Sequence, residues 1–333
     1  MNQTETPFLH CQDLSRVFVK KLDFAGRIAQ SLGSSLREER VRAVDSVRLR
    51  VMPGEVVGLV GESGCGKSTL GRMLCGILPQ SSGQIFYKGH DVSTLDRKAA
   101  LEYAMNVQMI FQDPFASLNP RKRVRKIIGE APLFHGLTTK RELDEYLDDI
   151  MLQCGLDPVY KNRYPHQFSG GQRQRIGIAR AMAMQPECLV CDESVAALDV
   201  SIQAQILNLF MDLREKLNLT CLFISHDLGV VEHISDRIAV MYLGRIVEVS
   251  PVEGLFESPF HPYTRALLNE VPRLEKRGVD FTPLTGEIPS PLDPPTGCHF
   301  HPRCPHAMDI CRKEAPRRKD LGPYRWVSCH LHD

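Results

Sequence analysis

Four groups of residues in this chain have types and spacings that can do chemistry. The run Gly61-Glu62-Ser63-Gly64-Cys65-Gly66-Lys67-Ser68-Thr69 fits G-x-x-x-x-G-K-S/T, between an apolar run and a helical pattern, which is the context in which that motif cradles phosphates. Its glycines let the backbone wrap so that several N–H groups point inward, and the helix that follows adds the positive end of its dipole. Lys67 then reaches the β- and γ-phosphates of a nucleotide, and the Ser68 hydroxyl ligates Mg²⁺. The second group ends the apolar run Glu187 to Glu193 (ECLVCDE) in two carboxylates. Asp192 suits the water shell of that metal, and Glu193 can accept a proton from an attacking water. The third group is Phe168-Ser169-Gly170-Gly171-Gln172, which opens the helical pattern RQRIGIAR. A Ser-Gly-Gly turn at a helix start is a second anion site, with hydroxyl and N–H groups free to meet a phosphate. The fourth group is Cys298-x5-Cys304-x6-Cys311-x17-Cys329, four soft ligands after a Pro/Gly turn, enough for a tetrahedral metal or a cubane cluster. His299, His301, His306, His330 and His332 crowd the same stretch as substitute ligands.

These groups need rigid elements behind them. Glu55 to Gly61, Asn106 to Gln112, Glu187 to Glu193, Thr220 to Ser225 and Arg237 to Tyr242 are short β-branched runs that read as strands, the central ones apolar on both faces. Helical patterns alternate with them, so the reading is an α/β fold on a mixed or parallel sheet. From Arg141 to Cys154, residues Leu143, Tyr146, Leu147, Ile150, Met151 and Cys154 recur at helical spacing with acids between them, the mark of an amphipathic helix. Arg16 to Arg40 is polar and contains Gly and Ser, which predicts a surface loop. Phe281 to Gly297 (FTPLTGEIPSPLDPPTG) is Pro-rich and reads as a semi-rigid connector. The domain break is placed near Leu274, giving a unit over residues 1–273 and a linker with Cys-rich extension over 274–333.

Composition bounds the function. The 333 residues are 43% hydrophobic and 24% charged, a balance that excludes disorder throughout and allows one large core or two domains. Lys plus Arg total 41 against 40 acids, so net charge makes no case for a dedicated nucleic-acid binder. No apolar run approaches the roughly 18 residues of a membrane span. The start, MNQTETPFLHCQDLSRVFVKK, lacks the apolar stretch of a signal peptide, which predicts a cytoplasmic chain whose cysteines are thiols or metal ligands.

The ordered set of motifs resembles the ATP-binding cassette (ABC) ATPases, over roughly Leu9 to Arg273. Ser169, Gly170, Gly171 and Gln172 match the signature, Gln112 the Q-loop, Asp199 the D-loop, His226 the switch histidine, and Phe18 the aromatic that stacks on adenine. The resemblance implies a P-loop NTPase fold with a RecA-like core sheet, an antiparallel β-subdomain and a helical signature subdomain at about residues 113–175. It further implies two cassettes paired head to tail, each ATP lying between the Gly61 to Thr69 cradle (Gly61, Ser63, Gly64, Cys65, Gly66, Lys67, Ser68, Thr69) of one and the signature of the other. Catalysis would fall to Glu193, His226 and Gln112, with Mg²⁺ held by Ser68, Gln112 and Asp192. Ser194, Val195 and Ala196 depart from the family's more usual Pro, Thr and Ser, and Gln167 stands where relatives often have Glu.

Three runs narrow the resemblance: Gln108 to Pro120 (QMIFQDPFASLNP), Tyr164 to Gln172 (YPHQFSGGQ) and Pro259 to Leu267 (PFHPYTRAL). They look like the ATPase subunits of bacterial dipeptide, oligopeptide and nickel importers, and Leu198 to Leu207 (LDVSIQAQIL) favours the F-type subunit. The resemblance implies ATP and Mg²⁺, a homologous D-type ATPase, two transmembrane permeases, a periplasmic or lipid-anchored substrate-binding protein, and no nucleic acid. It places the chain peripherally on the cytoplasmic face of the inner membrane, powering import of a peptide or related solute. The Cys tail is similar to that family's C-terminal extension, some members of which carry a 4Fe–4S iron–sulfur cluster on such cysteines; zinc and free thiols are the alternatives. A soluble cassette ATPase acting on ribosomes or DNA, or an export ATPase, is the rival reading.

Overall fold

The computed structural model describes residues 6–20, 38–196, 198–269 and 286–333. Five of its strands are the five runs expected to be strands, the last at its full length and the others trimmed by one to three residues: β3 Val56–Val60, β6 Val107–Ile110, β7 Cys188–Asp192, β8 Thr220–Ile224 and β9 Arg237–Tyr242. They lie side by side and parallel in the order β9-β3-β8-β7-β6. Every residue of β3, β7, β8 and β9 is buried, as expected for parallel strands covered on both faces. Alternate residues of β3 serve two different cores: Val56 and Val60 join one apolar cluster, Val57 and Leu59 the other.

The register decides where the site can be. Leu59 pairs with Ile224, Asp192 with Ile224, and Ile110 with Cys191, so the four strands end level at their carboxyl edge. The segments leaving that edge are the Gly61 to Thr69 loop, Gln112, Glu193 and His226. Ligands of open α/β sheets bind at this edge.

Two further layers build outward. β1 Leu9–Lys20, β2 Glu39–Val51, β4 Ser82–Tyr87 and β5 His90–Asp91 form an antiparallel sheet in the order β2-β1-β4-β5. The helices Val124–His135, Leu143–Gln153 and Gly170–Met182 pack Ile127, Ile128, Leu147, Ile150, Met151 and Ile176 into a common core. The amphipathic helix therefore forms as its spacing predicts, with Leu143, Leu147, Ile150, Met151 and Cys154 buried and Tyr146 half-buried. The expected surface loop from Arg16 to Arg40 is corrected at both ends. Phe18 pairs with Val41 and Lys20 with Glu39 across β1 and β2, because alternate apolar residues extend the hairpin further than the polar composition suggests; residues 21–37 lie outside the described residues.

The Cys-rich extension is part of the main sheet. β10 Arg245–Pro251 pairs antiparallel with β9; β12 Arg325–Ser328 then pairs with β10, and β11 Arg318–Gly322 with β12. Residues 286–297 contain no helix or strand, in keeping with a Pro-rich connector. The proposed break at Leu274 falls outside the described residues.

Candidate active site

The phosphate loop is shaped by backbone sterics. Gly66 has φ of 110°, and a Cβ there would stand 2.0 Å from the Ala43 carbonyl oxygen; at Gly61, with φ of 153°, it would stand 2.1 Å from that of Met241. Only glycine fits either position. Lys67 is buried, its Nζ donating to the carbonyls of Gly61 at 2.7 Å and Glu62 at 3.0 Å, so the ammonium is folded into the loop it serves. Helix Lys67–Leu74 follows directly, its open N–H groups facing the loop.

The loop borders a cavity of about 220 Å³ lined by Ser63, Gly64, Cys65, Gly66, Lys67, Ser68 and Thr69, with Gln112 and Glu193 across from them. Val41, Arg42 and Ala43 of β2, Leu243, Gly244 and Pro291 complete its wall. Phe18 is partly exposed opposite Val41, and the Arg16 guanidinium sits 4.8 Å from its ring centre.

Of the three residues expected to hold Mg²⁺, Ser68 and Asp192 meet as a pair, while the Gln112 amide turns to Glu193. Ser68 Oγ donates to Asp192 Oδ1 at 2.7 Å. Asp192 is fully buried, and its Oδ2 has no partner in the described structure. A buried carboxylate oxygen left open beside a serine hydroxyl fits a metal-bound water, since such orphaned acceptors are otherwise costly. Burial raises the Asp192 carboxyl above its usual range, a rise that the Ser68 hydrogen bond opposes.

Glu193 stands between two partners. Gln112 Nε2 donates to Glu193 Oε2 at 2.7 Å, and His226 Nδ1 lies 3.5 Å from Oε1. The glutamate occupies the left-handed backbone region at φ of 44°, held there by its N–H to the Ile224 carbonyl. Strain of this kind persists where surrounding structure fixes it, typically at functional sites. His226 itself is set by Asp227, whose N–H donates to Ser225 Oγ and whose carboxylate caps helix Leu228–Ile234.

The signature residues stand elsewhere. Ser169 to Gln172 do not line the cavity. Ser169 Oγ accepts the Gln172 N–H at 3.3 Å while Gln172 Oε1 accepts the Ser169 N–H at 3.1 Å, a reciprocal cap that starts helix Gly170–Met182 and uses the hydroxyl only as an acceptor. The remaining N–H groups of that first turn stay open to an anion. Gly171 is close-packed, since a Cβ there would stand 2.5 Å from Ile202. Asp199 precedes helix Val200–Leu217 without a side-chain capping bond. Ser194 is buried, and its Oγ has no partner among the described residues; Gln167 Oε1 accepts the Tyr164 N–H at 2.9 Å.

Among the described residues, no group of three or more His, Cys, Asp or Glu side chains is placed to hold a metal ion. The four thiols are nevertheless neighbours. Burial pushes Cys329 up to about 11, and Cys298, Cys304 and Cys311 add to the rise; Cys298 is raised by burial and then by Cys311 and Cys304. The tail also has large apolar anchors. Phe300 packs with Tyr242 and Tyr263 at centroid distances of 5.3 and 5.4 Å, and Trp326 is buried in the other core cluster. Packing on the cassette therefore gives the tail apolar burial of its own.

Sequence reasoning missed several residues of the site: Arg42 and Ala43 from β2, Leu243 and Gly244 after β9, and Pro291 from the connector. None belongs to a local motif, so only their folded position reveals them.

Comparison with known proteins agrees with this geometry. Residues 44–196 match the model of the ABC transporter family, and residues 247–311 that of the oligopeptide/dipeptide transporter C-terminal region. The chain is 52% identical over 296 residues to the oligopeptide transport ATP-binding protein AppF of Bacillus subtilis (strain 168), covering 88% of this chain and 90% of that one. Among solved structures it is similar to cbiO1 of Clostridium perfringens, part of the ABC transporter complex cbiONQ, with a TM-score of 0.60 at 25% identity, covering 76% of this chain and 92% of that one. It also matches the fold of the ATP-binding cassette MJ0796 in a dimeric post-hydrolysis state bound to ADP and Pi, with a TM-score of 0.62 at 23% identity, covering 73% of this chain and 98% of that one. With half its residues shared across most of both sequences, the chain belongs to the ABC transporter family, in the oligopeptide/dipeptide group of ATP-binding proteins, and is an ATPase.

Proposed function

We propose that this chain is the ATP-hydrolysing subunit of a peptide importer, bound peripherally to the cytoplasmic face of the membrane through permease subunits. The observation that carries the catalytic part is Glu193 held between Gln112 and His226 at the mouth of the Gly61 to Thr69 cavity. From there its carboxylate orients a water and takes its proton, with His226 on the far side to meet the γ-phosphate. Ser68, Gln112 and Asp192 would hold Mg²⁺, which would supply charge neutralisation to the phosphates. The signature Ser169, Gly170, Gly171 and Gln172 serves the ATP of a second, D-type cassette, consistent with their standing outside this chain's own cavity. ATP then bridges two surfaces, and its hydrolysis removes the shared charge and reopens the pair.

Coupling to the permeases is assigned to the helical subdomain. Phe115, Phe134, Leu152 and Val159 there are at least 60% exposed, an apolar surface of the kind that seeks a partner. Among the described residues no helix is long and apolar enough to cross a membrane, so translocation falls to other chains. Transport of peptides rests on the kinship with AppF. Glu193→Gln is expected to lower turnover by at least a hundredfold while ATP binding persists as a stable pair of cassettes; undiminished hydrolysis would refute the assignment.

For the tail we infer a 4Fe–4S cluster on Cys298, Cys304, Cys311 and Cys329. The support is the four-cysteine set itself, whose thiols lie close enough for Cys298, Cys304 and Cys311 to act on Cys329. When bound, the cluster supplies a redox-active cross-link between these segments. Anaerobically purified protein is expected to carry about four irons and four acid-labile sulfides per chain; four freely alkylatable thiols with neither would remove the cluster.

A further inference from the structure

The second residue of the phosphate loop is held by the extension. Arg303 Nη1 and Nη2 donate to Glu62 Oε2 and Oε1 at 2.8 and 3.0 Å, a bidentate pair spanning 241 positions of sequence. It is well shielded, the Arg303 side chain being 5% and the Glu62 side chain 19% exposed. Glu62 is fixed at two further points: its N–H donates to Tyr263 Oη at 2.9 Å, and its carbonyl accepts from Lys67 Nζ. The same stretch of the extension grips the cavity wall nearby. His299 Nδ1 lies 3.1 Å from the carbonyl of Leu243, Phe300 packs on Tyr263, and Pro291 faces the cavity itself.

We propose that Arg303 is a positioning residue for nucleotide binding: through Glu62 the C-terminal extension sets the phosphate loop of its own cassette in the conformation that receives ATP. The physical argument concerns order. A loop whose N–H groups must converge on phosphates binds more tightly when its backbone is fixed beforehand, and a planar bidentate guanidinium fixes a carboxylate in both position and orientation. Lys67 depends on the same residue, because the Glu62 carbonyl is one of its two acceptors. Glu193, Gln112 and His226 come from other strand ends, so Arg303 acts on binding rather than on the hydrolytic step. The proposal rests on Gly61 to Thr69 being the ATP cradle.

The test is ATP affinity and steady-state ATPase activity of the full chain in its assembled transporter, for wild type, Arg303→Gln, Arg303→Lys, Glu62→Gln, the Arg303→Gln/Glu62→Gln double variant and Lys67→Ala. Arg303→Gln and Glu62→Gln are each expected to weaken ATP binding and raise KM on the order of tenfold, with kcat within about twofold of wild type. The double variant is expected to be no weaker than either single one, because both remove the same contact. Arg303→Lys, which keeps the charge without the fork, is expected between wild type and Arg303→Gln. ATP affinity of Arg303→Gln within twofold of wild type, losses that multiply in the double variant, or a fall in kcat with KM unchanged would each overturn the proposal. If Arg303→Gln does not fold, Arg303→Lys decides on the same readouts. Full ATP affinity in Lys67→Ala would refute the cradle itself; its loss there, beside normal affinity in Arg303→Gln, would refute only the role of Arg303.

Discussion

At the scale of single residues, the site is made by side chains whose ordinary preferences are overridden. Asp192 is a carboxylate in full burial with one oxygen bonded to Ser68 and the other open. Burial raises its carboxyl above the usual range, a rise that a nearby cation opposes. Asp192→Asn, which removes the charge and keeps the shape, is expected to weaken Mg²⁺-dependent ATP binding at least tenfold; unchanged affinity would disprove a role for Asp192 at the metal. Glu193 shows the complementary device, a non-glycine residue in left-handed backbone kept there by its neighbours. Both residue types were readable as candidates at the end of an apolar run. Their condition, one orphaned by burial and one strained by its turn, was not, because burial and φ are set by what packs around them.

At the scale of elements, the short helix Pro262–Asn269 links the site to the extension. Its Tyr263 accepts from Glu62 on one side and stacks on Phe300 on the other. His261 enters this helix fully buried, its Nδ1 accepting the Tyr263 N–H and its Nε2 without a partner. Burial first, and the charge of His332 second, depress His261 to about 3, so it stays neutral when folded. The unfolded histidine takes a proton near pH 6.5, hence stability from this group is present above that pH and lost as pH falls below it. Between pH 7 and pH 5 the loss is expected to be about 2 kcal/mol, read from denaturant midpoints. A His261→Asn variant is expected to lack that acid-sensitive component; an identical acid loss in the variant would assign it to other groups.

At the scale of the molecule, cassette and extension share one sheet and both apolar cores. β12 continues the sheet beyond β10, Phe300 enters one core and Trp326 the other. Such an arrangement is expected to unfold as one cooperative unit. The chain provides its own probe, since Trp326 is its single tryptophan and lies in the extension. Thermal transitions followed by tryptophan fluorescence and by far-ultraviolet circular dichroism are expected to coincide; a tryptophan transition well below the global one would show the extension to be an independent appendage.

The sequence by itself determined what is local. A phosphate loop is a contiguous run whose glycines, lysine and serine act within nine positions, so Gly61 to Thr69 was legible before any folding, as were the five parallel strands from their unbroken apolar runs. The serine cap at Ser169 is equally local, its oxygen accepting the Gln172 N–H three residues on. Only the tertiary structure decided the contacts between distant segments: Gln112 on Glu193, Ser68 on Asp192, Arg303 on Glu62, and Pro291 at the cavity. The same limit applied to the tail, whose Phe300 and Trp326 carry no mark in the sequence of where they pack. Its two large residues find their cores in the cassette instead of in each other. Spacing along a chain records helix and strand period, which repeat over a few residues. It carries no record of which strand ends come level or which arginine meets which carboxylate, because those follow from sheet order and register and from packing across the whole molecule.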